Sequence, residues 1–165
     1  MQRAGEKYLD DTGSKARLRL WLRLLQSTRK IEAELRDRLR VNFSVTLPRF
    51  DVLAALYRKS DGMLMSELSR FLMVSNGNVT GIIDRLVADG LVVRAQREGD
   101  RRTSIVKLTN KGVLDFELMA SAHEGWVSEL LAGFTPQEAE NLSNMLDGIQ
   151  PRVKNGTKDG VKDNE

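Results

Sequence analysis

The chain has 165 residues, 41% apolar and 30% charged, with 26 Lys+Arg against 23 Asp+Glu and a formal net charge of +3. That suits one folded, helix-rich domain, with or without an oligomerisation arm. Cysteine is absent and His123 is the single histidine, which excludes disulfides, thiolate chemistry and a His-rich metal site. No run approaches the ~18 consecutive apolar residues of a membrane span, and the opening Met1 to Lys7 lacks the apolar core of a secretory signal. The expected compartment is the cytoplasm.

Residues 1–14 read as a flexible arm. From 15 to 41, Leu18, Leu22, Leu25, Ile31, Leu35 and Leu39 recur at threes and fours without Gly or Pro, which predicts one long helix. Asn42-Phe43-Ser44 breaks it. A second helix spans about 48–58, with Thr46 as cap and Pro48 in its first turn. Ser60-Asp61-Gly62 is a turn, and Met63-Leu64-Met65 is at most one short strand. Ser66 is placed to cap a two-turn helix through Leu72. Ser75 caps the next, from Asn76 to Asp89, with Val79, Ile82, Ile83, Leu86 and Val87 as its apolar stripe and Gly90 where a left-handed residue ends a helix. Two short helices joined by a tight turn make a helix-turn-helix.

Leu91 to Arg97 reads as a strand, Glu98 to Arg102 as a hairpin tip, and Thr103 to Leu108 as the alternating return strand. A helix-turn-helix followed at once by a β-hairpin is a winged helix. Thr109 then caps a long helix from Asn110 to about Ala132. Thr135-Pro136-Gln137-Glu138 starts a last helix that stops at Pro151. Residues 152–165 are polar enough to be a disordered tail. The expected architecture is therefore mainly α with a small β-wing. A winged helix-turn-helix over 46–109 is flanked by helical dimerisation segments, 15–45 and 110–151.

Charge is distributed unevenly. Lys15 to Arg40 holds nine bases and three acids, and Arg85 to Lys111 seven bases and three acids. Concentrated bases on a near-neutral chain fit a polyanion, although solvated helix faces give the same pattern. The helix opening at Asn76 has what double-stranded DNA requires. Asn76, Gly77, Asn78 and Thr80 are small or polar and can meet base edges, while Val79, Ile82, Ile83 and Leu86 pack inward. Ser75 and the first helical N–H groups suit a phosphate. Arg85 is either a phosphate contact or half of an intramolecular ion pair. Arg101 and Arg102 at the hairpin tip suit a minor groove or its flanking phosphates.

The run Ser75-Asn76-Gly77-Asn78-Val79-Thr80-Gly81-Ile82-Ile83-Asp84-Arg85-Leu86 resembles the MarR family of bacterial winged-helix transcriptional regulators. So do Gly90-Leu91-Val92, Asp100-Arg101-Arg102 and Val106-Lys107-Leu108-Thr109-Asn110-Lys111-Gly112, in that order and spacing. The resemblance covers roughly residues 15–150. It implies an obligate homodimer of interlocked terminal helices that binds palindromic DNA, commonly as a repressor released by a small molecule. It also implies that Asp100 positions Arg101. The apolar terminal helices independently favour a twofold dimer.

The family resemblance places an effector between the dimer helices and the winged unit. Candidate linings are Trp21, Phe43, Phe50, Met65 and Met73. Arg36, Arg38 and Arg40, on neighbouring turns, could hold a phosphorylated tail. Val45 to Leu53 together with Met73 to Thr80 also resembles a branch associated with aromatic acids and their CoA thioesters. An architectural DNA-binding protein without effector is the alternative. An enzyme is not expected: no Gly-rich phosphate loop, placed nucleophile or metal cluster is present, and His123 reads as structural. No cofactor is expected.

Overall fold

The structure, a computed structural model, describes residues 12–97 and 100–149. Helix α1 (Thr12–Phe43) runs for 32 residues. It starts before the expected position, so residues 12–14 are helix rather than arm; residues 1–11 lie outside the described residues. It ends at Ser44, whose φ of +54° turns the chain so that its N–H still donates to the Arg40 carbonyl at 3.1 Å. In α2 (Leu47–Tyr57), Pro48 opens the first turn. Thr46 occupies the cap position but makes no side-chain cap; its carbonyl accepts from Arg49 and Phe50 N–H instead.

Strand β1 (Met63–Leu64) leads directly into α3 (Met65–Phe71). The cap residue is Leu64, not Ser66 as expected. Leucine has no acceptor, so the Glu67 carboxylate reaches back to take the Leu64 N–H at 3.0 Å. Recognition-type helix α4 (Asn76–Ala88) follows, then β2 (Val92–Arg97) and β3 (Asp100–Leu108). The three strands form an antiparallel sheet in the order β1-β3-β2. Arg97 pairs with Asp100 beyond a register shift, so Asp100, Arg101 and Arg102 belong to the strand rather than to a five-residue tip. Residues 98 and 99 lie outside the described residues, as do residues 150–165, which include the expected tail.

The core takes Leu39 from α1, Leu53 and Leu56 from α2, Leu68 from α3, Val79, Ile83 and Leu86 from α4, Val106 from β3 and Phe116 from α5 (Asn110–Leu130). These side chains are sealed from water, and each is worth about 1.5–3 kcal/mol in burial. The α4–β2 corner is a Schellman turn: Gly90 has φ +71°, its N–H donates to Val87 O, and Leu91 N–H donates to Leu86 O at 2.9 Å. Thr109 then binds the corner to α5. Its hydroxyl donates to Gly90 O at 2.7 Å and accepts from Gly112 N–H at 2.9 Å. A Cβ on Gly112 would lie 2.0 Å from the Leu91 carbonyl oxygen, so only glycine lets α5 approach this closely.

This compact unit ends at Leu130, and a second begins at Leu131; the expected dimerisation segment 110–151 thus spans both. The second unit holds α6 (Pro136–Asp147). Its capping box is complete: Thr135 N–H and Oγ1 both donate to the Glu138 carboxylate, at 2.9 and 2.8 Å.

Candidate nucleic-acid interface

Helix α4 has two unlike faces. Val79, Ile83 and Leu86 are wholly inaccessible, whereas Gly77, Asn78 and Thr80 are exposed. The buried stripe fixes the helix on α2, α3 and β2 and so fixes what the outer face presents. Ser75 is the cap, accepting from the Asn78 N–H at 3.4 Å. Its Oγ therefore engages the helix start, leaving the hydroxyl proton as the group a phosphate could take. The side chain of Asn76 lies outside the described residues. Close approach within the chain does not explain Gly77, because a Cβ there would meet nothing within 4 Å.

Arg85 is exposed and forms no ion pair among the described residues. The helix is instead tethered by its two acids. Asp84 accepts from Arg94 on β2 at 2.5 Å, tying the recognition helix to the wing. Asp89 pairs with Arg49 of α2, and its carbonyl accepts from Lys111 Nζ at 3.0 Å. An acid at a helix C-terminus opposes the helix dipole, and the two cations offset that. The Arg49 guanidinium is held below the ordinary arginine range, first by burial and then by the positive charge of Arg85. Its Nε is buried without a hydrogen-bond partner.

Arg49 was not among the sequence-derived candidates, yet it borders two cavities, each of about 250 Å³. One lies along α4, walled by Thr46, Gly77, Asn78, Gly81, Ile82 and Arg85. The other lies between α1, α2, the end of α4 and α5, and includes Phe43, Val45, Lys111, Asp115, Leu118 and Met119. The available signal was weak: one arginine in the apolar run Leu47 to Leu56, and an acid against the dipole at Asp89.

The other candidates separate. Phe43 lines the second cavity and meets Trp126 at 6.1 Å between ring centroids. Phe50 is a core residue, packed on Phe116 and stacked on His123 at 4.7 Å; burial pushes that imidazole below its ordinary pKa. Met65 packs against the core. Trp21 is 57% exposed and Met73 93% exposed, and neither borders the two cavities that Arg49 lines. Arg38 is not a free cation: its guanidinium donates to Glu34 at 2.7 Å and to Glu129 at 2.5 Å, which holds its pKa above the ordinary arginine value. Arg40 faces Asp37 at 3.5 Å, and Arg36 is exposed. The side chains of Asp100, Arg101 and Arg102 lie outside the described residues, so the Asp100–Arg101 pairing has no geometry here.

A recognition helix with a sealed inner face and an open polar outer face, joined to a three-stranded wing, defines a winged helix-turn-helix DNA-binding protein. Residues 43–103 match the MarR family. Over 147 residues the chain is 32% identical to the transcriptional activatory protein BadR of Rhodopseudomonas palustris, spanning 82% of this chain and 79% of that one. A MarR family regulator from Silicibacter pomeroyi superposes with TM-score 0.69 at 33% identity, covering 83% of this chain and 94% of that chain. A mutant MarR from E. coli, crystallised with operator DNA, also gives 0.69, at 28% identity and 80% and 94% coverage. The chain belongs to the MarR family, and it is a DNA-binding transcriptional regulator rather than an enzyme. Among the described residues no helix is long and apolar enough to cross a membrane.

Proposed function

We propose that the protein acts in the cytoplasm as a homodimer that represses transcription from a palindromic operator and is released by a small aromatic acid. The open polar face of α4 carries the DNA half of this reading. Asn78 offers a donor and an acceptor to a base edge, Gly77 and Thr80 lie beside it, and Ser75 and Arg85 meet phosphates. Arg101, with Asp100 as its positioning partner, and Arg102 reach the flanking minor groove. Asn76 contributes at the helix start.

The dimer reading rests on α1, where Leu18, Leu20, Trp21 and Leu22 are all exposed in the single chain. A second copy buries them. Repression needs only occupancy of the operator; activation, the action in BadR's name, requires an additional contact with the transcription machinery.

The effector site is the cavity bounded by Phe43, Val45, Arg49, Lys111 and Met119. Its apolar walls accept a ring, and Arg49 Nε, which has no partner, donates to a carboxylate. A free acid is favoured over its CoA thioester, because Arg38 is already held by two glutamates. A carboxylate drawn to Arg49 would compete with Asp89, the residue that caps the C-terminus of α4.

The test is a binding titration on an operator selected from random duplexes, with and without benzoate. Benzoate should weaken the wild-type complex, and Arg49→Met should lose that response while still binding DNA. A selected operator bound equally with benzoate and a panel of related acids would overturn the effector reading. Equal affinity for selected and scrambled duplex would leave an architectural protein. In vitro transcription on the same operator distinguishes repression from activation.

A further inference from the structure

We propose that Met73, supported by Val74, reads a thymine methyl group in the operator beside the bases faced by α4. The proposal rests on the reading of α4 as a major-groove helix. Met73 is 93% exposed on a backbone of φ +54°, a region that glycine and asparagine enter far more readily than methionine. The turn is nonetheless pinned at each residue. Leu72 N–H donates to Leu68 O at 3.0 Å, Met73 N–H to Arg70 O at 3.2 Å, and Val74 N–H to Ser69 O at 3.1 Å. A well-held turn therefore displays a large apolar side chain to water on strained backbone. Those hydrogen bonds offset the backbone cost, as in the turn at Gly90, but among the described residues nothing covers the Met73 side chain, which points to a partner.

The surroundings select DNA as that partner. Phe71 and Val74 are also exposed, so three apolar side chains crowd into four residues. The patch stops at Ser75, the cap of α4, and in sequence the exposed Gly77, Asn78 and Thr80 follow. From Leu68 to Ile83 the chain has no Asp or Glu, and Arg70 is its sole formal charge. A segment without acids, continuous in sequence with the recognition helix, is compatible with a polyanion. In the major groove the one apolar group that base pairs display is the C5-methyl of thymine. Methionine, unbranched and polarizable, can mould itself to that group.

The experiment is a cycle between protein and DNA, using the full chain and an operator selected from random duplexes. Each thymine of a half-site is replaced in turn by uracil, which removes only the methyl group. Wild type should lose affinity about fourfold at one position, the worth of one buried methyl. Met73→Gly, which suits the left-handed backbone, should melt no lower than wild type, bind the thymine operator about fourfold more weakly and ignore that uracil. Unchanged affinity in Met73→Gly would overturn the proposal and leave the patch to another protein or a second copy. A loss that keeps full sensitivity to every uracil would overturn it too, and would indicate a sugar or phosphate contact. If wild type selects no sequence at all, the reading of α4 fails and carries this one with it; the other two outcomes leave α4 intact.

Discussion

Helix α4 and the first half of α1 carry apolar residues at similar helical spacings, with opposite outcomes. In α4, Val79, Ile83 and Leu86 disappear into a core built from seven other elements. In α1, Leu18, Leu20, Trp21 and Leu22 stay in water, and the chain becomes buried only at Leu35 and Leu39. Helix α6 resembles the first half of α1: it has no buried residue, and Met145 is 75% exposed. The difference is one of closure. The winged unit completes its core within one chain and can present a rigid outer face, whereas the terminal helices hold apolar surface that stays exposed in the single chain, the surface on which the proposed dimer rests.

That contrast can be broken at its most exposed point. Leu18→Glu with Leu22→Glu should halve the mass seen by sedimentation while leaving the helical signal of the winged unit in place. Four leucines across a twofold interface, at roughly 2 kcal/mol each, amount to about 8 kcal/mol. An unchanged mass would place the interface elsewhere. Leu86→Ala should have the complementary effect, costing about 3 kcal/mol of folding stability in urea titrations without altering the stoichiometry of what remains folded. Gly112→Ala should cost about 2 kcal/mol by driving a methyl group into the Leu91 carbonyl. It should also loosen the α4–α5 corner, visible as faster amide exchange at Leu91 and Val113.

The smallest effect concerns α6. Hydrogen bonds from the Thr135 backbone and then its hydroxyl hold the Glu138 carboxyl below its ordinary 4.5. A depressed acid stabilises the fold above its ordinary value, and the contribution disappears as pH falls through the folded value. Acidification below pH 4.5 should therefore speed exchange at the start of α6 before it affects α4. Glu138→Gln should flatten that dependence, and exchange that rises equally in both helices would mean that α6 is held by more than its cap.

Hydrophobic period and punctuation were enough to read the helices, the wing and the two faces of α4 from the chain alone. Leu–x₃–Leu spacing, Gly90 before Leu91, and Thr135-Pro136 with Glu138 are local signals, and local geometry answered them. The Gly77-Asn78-Thr80 face was legible for the same reason: the helical period that places Val79 and Ile83 inward places its neighbours outward. Misread boundaries have a local cause as well, since Leu64 can occupy a cap only because Glu67 supplies the missing acceptor.

The tertiary structure decided which side chains of one type have different surroundings. Phe50 and Phe43 are both aromatic residues near α2, but one fills the core beside Phe116 and the other edges a cavity. Arg38 and Arg36 sit two residues apart, and Glu129, 91 residues further along, engages the first of them. Arg49 acquires its place only when α2 meets the end of α4 at Asp89. Such pairings join residues far apart in the chain, and neither hydrophobic period nor capping chemistry records which distant charge will arrive.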